Sequence, residues 1–219
     1  MTEITDYINK DFKPIDSSDT IEIIQDFFSD LDFSHFPVLE GGVYQGSIAA
    51  EDVETFDADK KISEYRYILE GFLVRNTTAW LDVLEGFARH HTNVMPVLDE
   101  NNSYLGYYEI NDIIKFLYET PFLKEQGGVI VVAKGILDFS MSEVAQIIET
   151  NGGKILGLFI SNSTSETVAI TVKISIGSIN EIIQTFRRYN YDIISEHMED
   201  NYINSLKERS DYLDKYLNI

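Results

Sequence analysis

Apolar positions along the first 120 residues follow one pattern, stated twice. Ile21, Ile24 and Phe28 fall three and four apart, the spacing of one face of an amphipathic helix, and Trp80, Val83 and Phe87 repeat it fifty-nine positions later. Each helix leads into an apolar strand and a hairpin. The first is "PVLEGGVYQGSI" from Pro37, turning at Gly41-Gly42; the second is "PVLDENNSYLGYY" from Pro96, with a longer polar turn. Further matches flank these: "ITDY" at Ile4 with "ISEY" at Ile62, "FKPI" at Phe12 with "GFLV" at Gly71, Pro37 with Pro96, Gly46 with Gly106, and Asp52 with Asp112. Each copy predicts a short strand, a helix, two strands and a second helix, over residues 1–60 and 61–120. Asp52 and Asp112 fall in the first turn of that second helix, where a carboxylate suits the positive end of the helix dipole.

Gly127-Gly128, after Pro121, breaks the repeat, and a different order follows. "VIVVAK" predicts a buried strand. "SMSEVAQIIETNGG" predicts a helix with Ser140 and Glu143 in capping-box spacing, closed by Gly152-Gly153. "KILGLFIS" and "ETVAITVKIS" predict strands, "SINEIIQTFRRYN" a helix with Ser178 and Glu181 as its capping box, and "YDIISEHM" a last strand. The order βαββαβ over 128–198 predicts a ferredoxin-like α/β sandwich. Residues 199–219 predict a helix with Ile203, Leu206, Leu213 and Leu217 on one side, interrupted at Ser210. It is too short to stand alone in water and is expected to pack on its own chain or on a partner.

Composition narrows the function classes. The 219 residues are 44% hydrophobic, enough for real cores, with no apolar run of membrane-spanning length and an acidic start unlike a signal peptide; a cytoplasmic protein is expected. The formal net charge of -20, with scattered Lys and Arg, argues against nucleic-acid partners. Absence of cysteine removes disulfides, thiolate nucleophiles and zinc–cysteine sites. No nucleophile elbow, phosphate loop, dinucleotide fingerprint or zinc-protease motif occurs, so no enzyme is expected. The neighbours His90 and His91 point about 100° apart on a helix and read as a solvated helix end. "EDVETFDADKK" reads as a solvated acidic face.

The doubled "FPVLE…G…D" and "MPVLD…G…D" resemble a pair of cystathionine β-synthase (CBS) domains over roughly residues 1–120. The resemblance implies an α/β (α+β) disc-like module of two packed units, often homodimeric, that senses AMP, ADP, ATP or S-adenosylmethionine between the units. The hydroxyl residue usual three positions after the hairpin glycine is replaced by Ala49 and Glu109. Asp52 and Asp112 have two readings, helix N-terminal carboxylates or acceptors for ribose hydroxyls. Asp16 corresponds to Arg75, whose guanidinium suits a phosphate, or a surface ion pair. His35 faces a cleft or packs at a sheet edge. With Phe36, Pro37, Val74, Met95 and Pro96 beside them, these residues form the expected ligand set, and a cleft lined by Arg75 and Asp112 is the favoured one.

The βαββαβ segment is similar to an ACT-like regulatory domain. Asp138, Ser140 and Met141 stand in the loop where amino-acid-binding members carry Asp-x-Pro-Gly, and the missing glycine points to dimerisation as the domain's role. The domain order is similar to that of bacterial acetoin-utilisation-type CBS proteins, which implies a regulatory role. The competing reading is a degenerate interaction module whose clefts are filled by aromatic residues.

Overall fold

The computed structural model of the chain describes residues 3–175 and 179–195, and the chain divides into two compact units at Leu117/Tyr118. The first unit holds the repeat as two copies of one motif. β1 (Ile15–Asp16), α1 (Ile21–Ser29), β2 (His35–Glu40), β3 (Val43–Ala49) and α2 (Ala50–Val53) form one copy. β4 (Val74–Arg75), α3 (Trp80–His90), β5 (Val94–Leu98), β6 (Tyr104–Glu109) and α4 (Ile110–Tyr118) form the other. In each three-stranded sheet a two-residue strand runs parallel to the first arm of an antiparallel hairpin. Pro37 and Pro96 are tolerated in the middle strands because the short strands pair only from Val38 and Val97 onward, so nothing on that side asks for a prolyl N–H.

The copies exchange their leading segments. Asn9 and Tyr107 trade backbone hydrogen bonds (2.7 and 3.1 Å), adding the chain before β1 to the edge of β6; Ser47 and Glu70 do the same (2.8 and 2.9 Å) with the chain before β4 and β3. Side chains follow. Ile4, Tyr7 and Ile8 pack on the core of the second copy, formed by Phe72, Val83, Phe87, Met95, Val97, Tyr108 and Ile113. Ile62, Tyr65, Ile68 and Leu69 pack on that of the first, with Ile21, Ile24, Phe36, Val38 and Ile48. The hairpin glycines make room for this crossing. Gly46 (φ 146°) and Gly106 (φ 144°) have backbones that L side chains rarely adopt, and a Cβ at Gly106 would stand 2.4 Å from the Asn9 carbonyl oxygen.

The second unit contains α5 (Pro121–Lys124), β7 (Gly127–Gly135), α6 (Met141–Thr150), β8 (Ile155–Ser163), β9 (Thr167–Ser175), α7 (Ile179–Arg188) and β10 (Asp192–Ile193). Its sheet has the order β10-β7-β9-β8, antiparallel throughout, the ferredoxin-like arrangement. One face packs on α6 and α7: Ile130, Val132, Ile170, Val172 and Ile174 meet Val144, Ile148, Ile182 and Phe186. Ser140 Oγ accepts the Glu143 N–H at 3.4 Å and caps α6. Gly127 and Gly128, where the repeat breaks, begin β7. A Cβ at Gly127 would lie 2.1 Å from the Ile174 carbonyl oxygen and one at Gly128 2.4 Å from Ile179 Cδ1, so the glycines mark close packing within a strand. Ser178, residues 196–198 of the expected last strand and the helix expected over 199–219 lie outside the described residues.

Candidate functional site

Two clefts lie where the copies of the first unit meet, at corresponding positions of the repeat. The larger, of about 600 Å³, is lined by Ser34, His35, Ala49, Ala50, Glu51, Glu54, Glu70, His90 and His91. Its geometry follows from the fold. His35 opens β2 and pairs with Ala49, the end of β3; Glu51 follows in the first turn of α2 and Glu54 caps its C-terminal end. Glu70 arrives on the exchanged segment. His90 ends α3 and His91 caps it in the left-handed conformation, φ 50°. His35 is 9% exposed; its Nδ1 lies 3.1 Å from Ser34 Oγ and its Nε2 3.2 Å from Glu70 Oε1, which ties the two copies together across the cleft. Buried Phe72 stacks on the His90 ring (4.8 Å, 20°) and meets His35 edge-on (5.5 Å, 79°).

The smaller cleft, about 310 Å³, is lined by Phe12, Leu31, Asp32, Phe33, Asn93, Glu109, Ile110 and Asn111. Glu109 stands where Ala49 stands in the first cleft and accepts a hydrogen bond from Asn9 Nδ2 (2.8 Å), again a tie between copies. Its carboxyl is held above its ordinary range, first by burial and then by the charge of Asp112. Phe12 and Phe33 belong to an aromatic cluster with Phe27, Phe36 and Tyr107; Phe33 stacks on Phe36 at 5.2 Å and Phe12 meets Phe33 edge-on at 5.7 Å.

Charge is the common property of both clefts. Among the described lining residues none is Lys or Arg, and the larger cleft carries three carboxylates. No group of three or more His, Asp or Glu among the described residues is arranged to hold a metal ion.

The expected ligand residues are dispersed. His35 lines the larger cleft and Glu109 the smaller. Asp52 and Asp112 occupy first helical turns one position beyond the lining residues Glu51 and Asn111, and Asp112 Oδ1 accepts a hydrogen bond from Lys115 Nζ at 2.8 Å. Phe36, Val74 and Met95 are buried core, as are Pro37 and Pro96. Asp16 and Arg75 sit at the far, hairpin-turn end of their sheets, paired with Leu39 and Leu98. Asp16 Oδ1 accepts from the Ser18 hydroxyl (2.6 Å) and N–H (2.9 Å), which lowers its pKa. Arg75 donates to the Asp99 carbonyl and to Asn102 Oδ1 (2.6 Å), closing the β5–β6 turn. The four steps from Leu98 back to Val94 span about 13 Å. Arg75, expected to share a cleft with Asp112, lines neither of these two clefts and binds the turn of its own copy.

The sequence did not single out Glu70 as a lining residue. Glu70 enters only because its segment crosses to the other copy. His90-His91 form the expected helix end, with His91 exposed, and they also wall the cleft, one imidazole stacking on Phe72; Glu51 and Glu54 are exposed as expected and line the same cavity. One signal was present: carrying the fifty-nine-residue offset back from His90-His91 leads to Leu31-Asp32, the matching wall of the other cleft.

Residues 72–119 match the CBS domain family. No curated protein matches. Among solved structures, a CBS domain pair/ACT domain protein from Thermotoga maritima aligns at 21% identity over 54% of this chain and 98% of its own, with a TM-score of 0.49. CBS domains of a transcriptional regulator from Streptococcus pneumoniae align at 18% identity over 52% and 98%, with a TM-score of 0.46. The CBS pair of a Mg²⁺ transporter from Shewanella oneidensis aligns at 16% identity over 54% and 71%, with a TM-score of 0.47.

Proposed function

We propose that the first unit is a regulatory module that senses an adenosine-containing ligand in the larger cleft, by binding and without catalysis. The observation that carries the reading is a cavity of about 600 Å³ walled by both copies and bridged by His35 and Glu70. That volume lies within the usual range of small-molecule sites. A ligand touching both walls binds one arrangement of the copies better than another, which is the condition for a signal. The CBS match over residues 72–119 supports the regulatory role. Glu51, Glu54 and Glu70 favour an uncharged or cationic adenosyl compound over AMP, ADP or ATP, because three carboxylates line the cleft and no Lys or Arg does.

The test is thermal unfolding with adenosine, AMP, ADP, ATP with and without Mg²⁺, and S-adenosylmethionine. A ligand at a hundredfold its Kd adds about 2.7 kcal/mol of stability. The expected result is a rise in Tm with S-adenosylmethionine or adenosine that exceeds the rise with ATP, and that disappears when Ala50→Trp fills the cleft of a folded protein. A flat response across the panel would reject the reading.

The smaller cleft favours a second reading, an interaction module without a ligand, because Phe12 and Phe33 occupy its walls. Homodimerisation belongs to the same proposal. The outer edge strand β8 is nine residues long and has neither charge nor proline, which suits pairing with a second copy. Light scattering on the purified chain reads the mass directly.

A further inference from the structure

The larger cleft gathers three of the chain's four histidines. His35 begins β2, His90 ends α3 and His91 caps that helix, yet all three line the same cavity. The fourth, His197, lies outside the described residues. The smaller cleft serves as an internal control. Carried across by the fifty-nine-residue offset of the repeat, His35, His90 and His91 correspond to Val94, Leu31 and Asp32. Leu31 and Asp32 line the smaller cleft and Val94 is buried core, so no imidazole stands in that lining. The architecture common to both copies therefore does not account for the three histidines.

Carboxylates meet them in equal number. Glu70 approaches His35 on the exchanged segment, its Oε1 3.2 Å from Nε2. Glu51 and Glu54 come from α2, with Asp52 between them in sequence. From β3 the cleft receives only the uncharged Ala49. On α3, Arg89 precedes His90 but pairs with Glu85 one turn back and does not line the cleft. The lining thus sets three carboxylates against three imidazoles. Its formal charge is -3 with neutral rings and zero with all three protonated. Imidazole is the side chain whose ordinary proton exchange falls between about pH 5 and 8. The rings also share a partner, since His35 and His90 both touch the ring of buried Phe72.

We infer that His35, His90 and His91 make the choice of ligand in the larger cleft depend on protons. With neutral rings the three carboxylates repel an anion, and the cleft admits uncharged or cationic adenosyl compounds. With protonated rings the lining charge is cancelled, and an anionic adenosyl compound binds as well. The coupling runs both ways: an anion in the cleft favours protonated rings by the same factor as protons favour the anion. The smaller cleft, without an imidazole, has no such dependence. The inference rests on the reading of the larger cleft as a ligand site, and the two are separated by the test.

Two probes are titrated into the full chain by calorimetry at about pH 6 and about pH 8, the two sides of the ordinary imidazole range. Adenosine is uncharged, and adenosine 5′-sulfate keeps one negative charge at both values, so a change in their relative affinity comes from the protein. The affinity of the sulfate relative to adenosine is expected to rise about tenfold from the higher pH to the lower, equivalent to about 1.4 kcal/mol. His90→Gln with His91→Gln leaves buried His35 and its tie to Glu70 in place, so the fold is kept, and most of the rise is expected to be lost. Adding His35→Gln is expected to remove the remainder. Adenosine binding with no relative gain for the sulfate at about pH 6 would overturn the inference and leave the cleft a ligand site. A full rise in the double variant would also overturn it, by placing the titrating groups elsewhere. Binding of neither probe at either pH would overturn both readings.

Discussion

Single residues carry the strongest constraints in the first unit, and the hairpin glycines show why. Gly46 and Gly106 are needed twice over, for a positive φ and for the strand that crosses them. The two sites differ in what blocks a side chain: at Gly106 it is the Asn9 backbone oxygen at 2.4 Å, at Gly46 the Leu69 Cβ at 2.9 Å. Gly106→Ala is therefore expected to cost about 1–3 kcal/mol from backbone conformation plus the displacement of Asn9, and more than Gly46→Ala. Denaturant unfolding of the two variants checks the order. Glu109 gives a pH-dependent case. Its folded pKa is raised by burial and by Asp112, so its contribution to stability is fully present below the ordinary carboxylate pKa and is lost as pH rises through the raised value. Glu109→Gln keeps an acceptor for Asn9 and removes the charge. Its Tm is expected to exceed that of the parent at pH 7, with the difference closing as pH falls towards 4; a difference independent of pH would show that the charge is not the cause.

At the scale of elements, the hydrophobic spacing located the helices and hairpins of both units, because side-chain period depends on local backbone geometry alone. The apolar triplets beginning at Ile21 and Trp80 open α1 and α3, and the order read from Val129 onward is the order of β7 to β10. Spacing aligned Arg75 with Asp16 but did not show which end of its sheet it serves. A charged residue beside a strand has two ends of a sheet to serve, and only the register, Arg75 with Leu98, shows that it serves the turn. Arg75→Ala is thus expected to lower stability by roughly 1 kcal/mol through loss of the hydrogen bonds to Asp99 and Asn102, while leaving any ligand response of the larger cleft intact. Titration of the variant with a ligand that shifts the parent separates this from a binding role.

Across the whole molecule, the repeat, the change of pattern after Pro121 and the acidic composition were all legible along the chain, since each is a property of residue order or count. The sequence alone determined two copies of one strand–helix–hairpin–helix motif, a βαββαβ segment after them, and a charge that disfavours nucleic acid and phosphate alike. Tertiary structure decided which residues share a cleft. Glu70 reaches His35 because the segment before β4 pairs with Ser47 of the other copy, and His90 enters the same wall because α3 ends there. Such contacts join positions 35 to 55 residues apart across the boundary between copies, and no local period encodes them. Tertiary structure also decided that Gly127 and Gly128 begin a strand, because the requirement for no side chain comes from Ile174 and Ile179, far along the chain. Local order depends on neighbours in sequence, whereas the candidate site depends on which segments cross.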